Sequence, residues 1–129
     1  MIGVEKNRIL LVEDERDLVE TMIFQLKAAG YEVIVAYDGL DGLEKAKKEN
    51  IDLMILDLML PKMDGYKVCA LLKKDSRYSK IPIMLFSARA QDSDLKMGEE
   101  AGANAYVIKP FDSKALLVKI KELISAGMK

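Results

Sequence analysis

The stretch LMILDLML, residues 53–60, decides the fold, because it is apolar throughout except for one aspartate, Asp57. A run that is apolar at consecutive rather than alternating positions is typical of a strand buried on both faces of a parallel sheet. Burying an unpaired carboxylate costs free energy, so an aspartate inside such a run needs a partner. We therefore expect a strand over 53–56 that presents Asp57 at its carboxyl end.

Four more apolar runs of the same kind recur along the chain, and they cover residues 9–12, 33–36, 81–86 and 105–108. After each run, apolar residues recur at helical spacing, in the segments 18–26, 39–48, 64–74, 91–101 and 116–124. The segment 91–101 has the weakest stripe, with only three apolar residues. A strand followed by a helix, five times over, predicts a parallel sheet with right-handed crossovers and helices on both faces.

Local signals mark two helix ends. Gly30 follows the first helical segment at the place where a C-terminal capping glycine belongs. Either Asp112 or Ser113 can cap the start of the last helix. Cys69 lies on the third helical segment, and we interpret it as a small buried core residue rather than a nucleophile.

The composition limits the classes of protein to which the chain can belong. Its 129 residues, of which 50% are apolar, fit one soluble globular domain. Lys and Arg total 20 and Asp and Glu total 21, a balance unlike the basic footprint of a nucleic-acid binder. The absence of histidine excludes a Ser-His-Asp triad and a His-ligated zinc site.

The compartment follows from the single cysteine and from the lengths of the apolar stretches. One cysteine allows no internal disulfide and suits a reducing environment. The first eight residues lack the apolar core of a signal peptide, and the longest apolar stretch is too short to span a bilayer. We therefore expect a cytoplasmic protein.

Polar side chains stand at the carboxyl ends of four predicted strands. Glu13 and Asp14 follow the first strand, Asp57 the third, Ser87 the fourth and Lys109 the fifth. Any one of them alone could be a turn former, a helix cap or a surface charge. Ligands of open α/β sheets bind in the crevice outside these strand ends, so their coincidence at one edge predicts a site.

The residue types narrow the chemistry of this predicted site. Three crowded carboxylates need a cation or shifted pKa values, and Mg²⁺ prefers one or two carboxylates together with water and phosphate oxygens. An amine and a hydroxyl can bind a tetrahedral anion, and an aspartate can be a nucleophile for phosphoryl groups. Because the chain has no G-x-x-x-x-G-K-[ST] loop, we expect the phosphoryl donor to be a partner protein or a small molecule.

These residues, in this order and spacing, resemble the receiver domains of two-component response regulators. The resemblance extends from about Arg8 to Ile124 and rests on four pieces: ILLVEDE at 9–15, LDLMLPKMDG at 56–65, SA at 87–88 and KPF at 109–111. It implies a doubly wound α/β fold with the flavodoxin-like strand order 2-1-3-4-5. The acidic pair is Glu-Asp where many members have Asp-Asp, but charge and ligand type are retained.

The resemblance also implies a metal site and a phosphoacceptor. Asp57 would accept the phosphoryl group. Glu13, Asp14, Asp57 and the backbone carbonyl of Met59 would form a Mg²⁺ site, with Asp14 the direct ligand and Glu13 acting through water.

A two-state switch is implied as well. Ser87 would hydrogen-bond to the phosphoryl oxygen, Lys109 would pair with it, and the Lys109-Pro110 bond would be cis. Tyr106 matches the aromatic residue of the family's switch. Phosphorylation would draw Ser87 inward, Tyr106 would fill the vacated space, and the face of the fourth helix, fifth strand and fifth helix would change shape.

The partners and the domain organisation are likewise expectations from the resemblance. A sensor histidine kinase, a histidine phosphotransfer protein or a small phosphodonor would supply the phosphoryl group, and a downstream protein would bind the switched face, without direct contact to nucleic acid or membrane. We expect residues 1–129 to form one receiver domain with no output domain, as a monomer or weak homodimer. Such a domain is regulatory, with at most self-phosphorylation and autodephosphorylation as activities.

Two other functions compete with this interpretation. A phosphatase of the haloacid dehalogenase type also uses a strand-end aspartate, but it needs a second Asp two residues later, where this chain has Met59. A phosphorylation-independent interaction module of the same fold would be expected to lose the acidic pair, the acceptor or the lysine, and all are present. Intact residues do not prove that phosphorylation occurs, so this second alternative stays open.

Overall fold

The structure, a computed structural model, describes residues 6–127. Strands and helices alternate along these residues, in the order that the sequence predicts. Their bounds are β1 Arg8–Val12, α1 Arg16–Ala28, β2 Glu32–Ala36, α2 Gly39–Lys48, β3 Leu53–Asp57, α3 Gly65–Lys74, β4 Ile83–Ser87, α4 Asp92–Glu100, β5 Ala105–Ile108 and α5 Ser113–Gly127. Within 6–127, none of the helices combines the length and the apolar character needed to cross a membrane.

A parallel sheet forms the centre of the domain, with its strands in the order β2-β1-β3-β4-β5. The predicted flavodoxin-like, doubly wound α/β fold is therefore confirmed. Helices α1 and α5 cover one face of the sheet, and α2 and α3 cover the other, which gives two core layers. The register places Asp57 beside Phe86 and Ser87 beside Ile108, so the carboxyl ends of β3, β4 and β5 form one edge.

The central strands are the most completely buried elements. Every residue of β3 and β4 is buried, as expected for continuous apolar runs that are covered on both faces. The sequence predicts a strand over 81–86, whereas the observed β4 begins at Ile83 and ends at Ser87. Pro82 stays outside the strand because it has no N–H to donate, although its carbonyl still accepts a hydrogen bond from Met54 N at 2.9 Å.

Side-chain caps and a glycine fix several helix ends, of which the sequence indicated those at Gly30 and at the start of α5. Asp38, Asp64 and Asp112 each accept a hydrogen bond from the backbone N–H three residues later, at 2.7, 3.1 and 3.2 Å. A cap of this kind typically contributes about 1 kcal/mol. Of the two candidates for α5, Asp112 is thus the cap. Gly30 follows α1 with a φ of +96°, the left-handed conformation that favours glycine.

Two predictions about packing have different outcomes. Cys69 is fully buried, and this burial raises the pKa of its thiol to about 11, so its interpretation as a core residue is confirmed. The apolar stripe predicted along 91–101 does not form a buried face. All nine residues of α4 are described, yet only Gly98 is buried, and Met97 is 48% exposed. Helix α4 has the fewest buried residues of the five helices.

Candidate functional site

The carboxyl edge of the sheet carries a cluster of buried polar side chains. Glu13 directly follows β1, Asp57 ends β3 and Ser87 ends β4, and these residues are 1%, 4% and 1% exposed. They are the buried polar residues of the part of the chain that the structure describes. Because burying polar groups costs free energy, their restriction to one edge indicates a functional site rather than a contribution to stability.

Three carboxylates meet at this edge, as the sequence predicts. One oxygen from each of Glu13, Asp14 and Asp57 lies within 4.8 Å of the other two. Burial, followed by the hydrogen bond and charge of the adjacent Glu13 carboxyl, raises the pKa of Asp14 above its ordinary value. Two of the carboxylates are buried and one is exposed. This oxygen-only donor set fits a hard divalent cation that keeps part of its water shell.

Three hydrogen bonds fix the orientation of the Glu13 carboxylate. Its Oε2 accepts from the backbone N–H groups of Asp14 and Glu15, at 2.9 and 3.2 Å. Its Oε1 accepts from Lys109 Nζ at 2.8 Å. These bonds compensate for the loss of water around a charged group that is almost fully buried.

Lys109 brings a positive charge to the carboxylates. Its Nζ lies 3.6 Å from Asp57 Oδ1 and 4.6 Å from the centre of the Phe86 ring, in addition to its bond to Glu13. Burial, the largest single influence, lowers the pKa of Lys109, but the hydrogen bond to Glu13 and the charges of Asp57 and Glu13 together outweigh it. The pKa of Lys109 is therefore raised. The Lys109-Pro110 peptide bond is cis, as the resemblance implied.

Close approaches of two glycines fix the loop that follows β3. A Cβ on Gly65 would overlap the carbonyl oxygen of Asp57 and would lie 2.9 Å from Cα of Leu58. A Cβ on Gly39 would overlap the carbonyl oxygen of Met63. At both positions only glycine avoids a displacement of the backbone. The loop, which carries Met59, is therefore held next to the carboxylate cluster.

The β4–α4 loop links Ser87 to Tyr106. Ser87 Oγ accepts a hydrogen bond from the N–H of Arg89 at 3.1 Å, and the Tyr106 hydroxyl donates to the carbonyl of Arg89 at 2.8 Å. The half-buried ring of Tyr106 lies against Gly98 of α4, where an added Cβ would be 3.0 Å from the ring. The strand-end hydroxyl and the predicted switch aromatic thus share one intermediary, Arg89.

An open cleft of about 520 Å³ connects these groups to solvent. Its lining consists of Glu13, Asp14, Glu15, Asp57, Met59, Ser87, Ala88, Arg89 and Lys109. The structure therefore brings together all the predicted site residues except Tyr106, which is connected to the cleft through Arg89.

One residue near the site was missed in the sequence. Tyr66, in the first turn of α3, donates its hydroxyl to the carbonyl of Asp94 in α4 at 2.9 Å. A single tyrosine in an amphipathic helix carries no signal that separates a core aromatic from one with a hydrogen-bonding task. Only the spatial neighbourhood of α3 and α4 shows the contact.

Comparison with protein families and curated proteins gives matches over most of the chain. The family model for the response regulator receiver domain matches residues 9–121. The DNA-binding dual master transcriptional regulator RpaA of Synechocystis sp. is 38% identical over 117 residues, which are 91% of this chain and 48% of that protein. The alkaline phosphatase synthesis transcriptional regulatory protein PhoP of Bacillus subtilis has the same identity and coverage. The chain spans about half the length of these curated relatives.

Solved structures with the same fold cover nearly the whole chain. A CheY-like response regulator receiver domain protein from Methanospirillum hungatei has a TM-score of 0.90 at 29% identity, and the match covers 96% of this chain and 98% of that chain. The receiver domain of the sensor histidine kinase PA1611 from Pseudomonas aeruginosa has a TM-score of 0.87 at 28% identity, with 94% and 99% covered. That structure is described as having a magnesium ion coordinated in its active site cleft.

Proposed function

The chain belongs to the response regulator receiver domain family, whose members are regulatory phosphoacceptor domains of two-component systems, and we propose that it accepts its phosphoryl group on Asp57. One observation carries this proposal. Asp57 is a buried carboxylate at the end of the central strand, with Lys109 Nζ at 3.6 Å and two more carboxylates within 4.8 Å. Phosphoryl transfer needs positioning and charge neutralisation, and this arrangement offers both.

In the proposed reaction, a carboxylate oxygen of Asp57 forms a bond to phosphorus while the bond between phosphorus and the donor group breaks. The donor group leaves with the electron pair of the broken bond, and Asp57 becomes an acyl phosphate. Lys109 contributes a positive charge on one side of the incoming group. Asp57 is among the residues that line the open cleft, through which a donor can reach its carboxylate.

We assign a Mg²⁺ site to Glu13, Asp14, Asp57 and the backbone carbonyl of Met59. The oxygen-only donor set supports this assignment. Asp14, the exposed member, would be the direct ligand, whereas Glu13 would act through water because three hydrogen bonds already occupy its carboxylate. When bound, Mg²⁺ would supply charge neutralisation to the phosphoryl oxygens.

The proposed switch begins with new partners for Lys109 and Ser87. Phosphoryl oxygens would draw Lys109 from Glu13 and the Ser87 hydroxyl from the N–H of Arg89. The loop that holds the Tyr106 hydroxyl is then released, Tyr106 moves inward, and the α4–β5–α5 face changes shape. The sparse packing of α4 supports this proposal, because a shift of the helix disturbs little buried surface.

The proposed partners are a kinase and a target protein. A sensor histidine kinase or a histidine phosphotransfer protein supplies the phosphoryl group, a small phosphodonor can replace it, and a downstream protein binds the α4–β5–α5 face. We further propose that residues 1–129 act as one receiver domain in the cytoplasm, as a monomer or weak homodimer. Because acidic and basic residues nearly balance, we propose no direct contact with nucleic acid.

Intact-protein mass spectrometry after incubation with a small phosphodonor, with and without Mg²⁺, tests the proposal. Wild type should gain one phosphoryl group only with Mg²⁺, and Asp57→Asn should gain none. Asp52→Asn, at the opposite end of β3, is the matched control and should react like wild type. An Asp57→Asn protein that reacts at the wild-type rate would overturn the assignment. No adduct in wild type under any condition would favour the phosphorylation-independent interaction module.

A further inference from the structure

Helix α4 is held to the domain by few contacts. Its single buried residue, Gly98, packs against the ring of Tyr106. At its start, Asp94 Oδ2 accepts from the N–H of Gln91 at 3.2 Å, and a guanidinium nitrogen of Arg89 lies 3.9 Å from Asp94 Oδ1. These polar contacts lie within the β4–α4 segment and move with it. They leave the start of the helix to be fixed relative to the sheet by contacts from other elements.

Tyr66 supplies such a contact. Its hydroxyl donates to the carbonyl of Asp94 at 2.9 Å, from α3 to α4. Tyr66 follows Gly65, whose N–H donates to the carbonyl of Leu58 at 3.1 Å and whose Cα leaves no room for a side chain against the backbone of Asp57. The hydrogen bond thus connects α4 to a helix whose own start is fixed on the carboxyl end of β3.

The hydroxyl of Tyr66 also adjoins the aromatic residue of the proposed switch. Burial first, then the Tyr106 hydroxyl and the Asp94 charge, raise the pKa of Tyr66 to about 12, so Tyr66 remains a donor at neutral pH. The Tyr106 hydroxyl donates to the carbonyl of Arg89 at 2.8 Å. The two tyrosines therefore contact successive parts of one segment: Tyr106 holds the β4–α4 loop, and Tyr66 holds the start of α4.

We propose that Tyr66 is a positioning residue of the switch, which holds the first turn of α4 on α3 in the unphosphorylated domain and releases it when the β4–α4 loop rearranges. The release step rests on the proposed function, whereas the tether does not. A cleft between α3 and α4, whose lining includes Lys67 and Met97, then changes shape with the switch. The surface that changes shape on phosphorylation therefore includes part of α3.

Tyr66→Phe tests the tether, because phenylalanine keeps the ring packing and removes only the donor. Tyr31→Phe is the matched control, since Tyr31 is also half-buried but packs in the core layer on the other face of the sheet. The measurement is hydrogen–deuterium exchange by mass spectrometry, before and after treatment with Mg²⁺ and a small phosphodonor. Intact mass reports the extent of phosphorylation in each sample.

In the unphosphorylated domain, amides of residues 95–101 should exchange about fivefold faster in Tyr66→Phe than in wild type, the factor expected for one lost hydrogen bond. Tyr31→Phe should leave them unchanged. On phosphorylation, exchange over 95–101 should rise in wild type and rise less in Tyr66→Phe, where the bond is already absent. This second readout separates positioning from a general loss of stability.

Equal exchange over 95–101 in unphosphorylated Tyr66→Phe and wild type would overturn the tether. Faster exchange over 95–101 in unphosphorylated Tyr66→Phe, together with the same increase on phosphorylation as in wild type, would overturn the role of Tyr66 in the switch. Absence of an adduct in wild type would instead refute the assignment of Asp57, and the unphosphorylated comparison would still decide whether Tyr66 holds α4.

Discussion

Replacing Asp57 with Asn should stabilise the fold when no divalent cation is present. Asp57 is 4% exposed and has two like charges within 4.8 Å and one opposite charge at 3.6 Å. With an effective dielectric constant of about 20 and both like charges placed at the 4.8 Å limit, each repulsion is roughly 3.5 kcal/mol and the attraction is roughly 4.6 kcal/mol. The net electrostatic interaction of Asp57 with these three charges is therefore unfavourable by about 2 kcal/mol. Because Asp14 is exposed, solvent screening should reduce the gain in the free energy of unfolding to about 1 kcal/mol.

Urea unfolding at pH 7 in a chelating buffer measures this gain, with circular dichroism as the signal because the chain has no tryptophan. A gain of about 1 kcal/mol should raise the urea midpoint by roughly 0.5–1 M. Added Mg²⁺ should stabilise wild type more than Asp57→Asn, since an ion that binds only the folded cluster adds to its stability. Glu20→Gln removes the same charge from an exposed position on α1 and should leave the midpoint unchanged.

An Asp57→Asn midpoint at or below that of wild type without Mg²⁺ would refute the electrostatic reasoning. It would mean that Lys109 more than compensates for the repulsion from Glu13 and Asp14. An equal effect of Mg²⁺ on both proteins would be a separate contradiction, because it would place the ion away from Asp57.

Three further predictions concern single residues. Lys109→Ala should still acquire a phosphoryl group on Asp57 but should lose the change in hydrogen exchange over α4 that phosphorylation causes. If hydrogen exchange over α4 changes in Lys109→Ala as it does in wild type, Lys109 does not couple phosphorylation to the switch. Gly65→Ala should lower the free energy of unfolding by about 2 kcal/mol in urea, because its Cβ overlaps backbone atoms, and an unchanged midpoint would show that the loop can move aside. Since burial raises the pKa of Cys69 to about 11, a disulfide reagent at pH 8 should label the folded protein at least about tenfold more slowly than the urea-unfolded chain, and similar rates would contradict this. The contribution of this thiol to stability is complete below pH 9.0, its ordinary pKa, and is lost as the pH rises towards 11.

The sheet could be predicted because burial on both faces leaves few residue types at each strand position. The fully buried β3 differs from its prediction only by including Asp57, whereas β5 matches the predicted run 105–108 although this edge strand is only partly buried. Parallel strands end at a shared edge and the resemblance implies that β1, β3 and β4 are neighbours, so the meeting of Glu13, Asp57 and Ser87 could be predicted. No knowledge of side-chain packing was needed for that step.

The hydrogen-bond and ion-pair partners of each side chain within the site could not be predicted in the same way. Lys109 bonds to Glu13 at 2.8 Å and lies 3.6 Å from Asp57, a preference that depends on side-chain length and rotamer. The same limit applies to Tyr66, whose hydrogen bond joins residues 28 positions apart. The exposure of Met97 was missed because an apolar residue at helical spacing does not by itself show whether a second element covers it.

The exposed face of α4 has a consequence for how recognition can change. Its outward residues Lys96, Met97 and Glu100 contribute little to the core, so substitutions there should alter which proteins the helix can bind while the free energy of unfolding stays close to that of wild type. The carboxylates and the lysine are carried by other elements of the fold. Under the proposed function, single substitutions on this face of α4 can therefore change partner choice while the residues at the sheet edge stay the same.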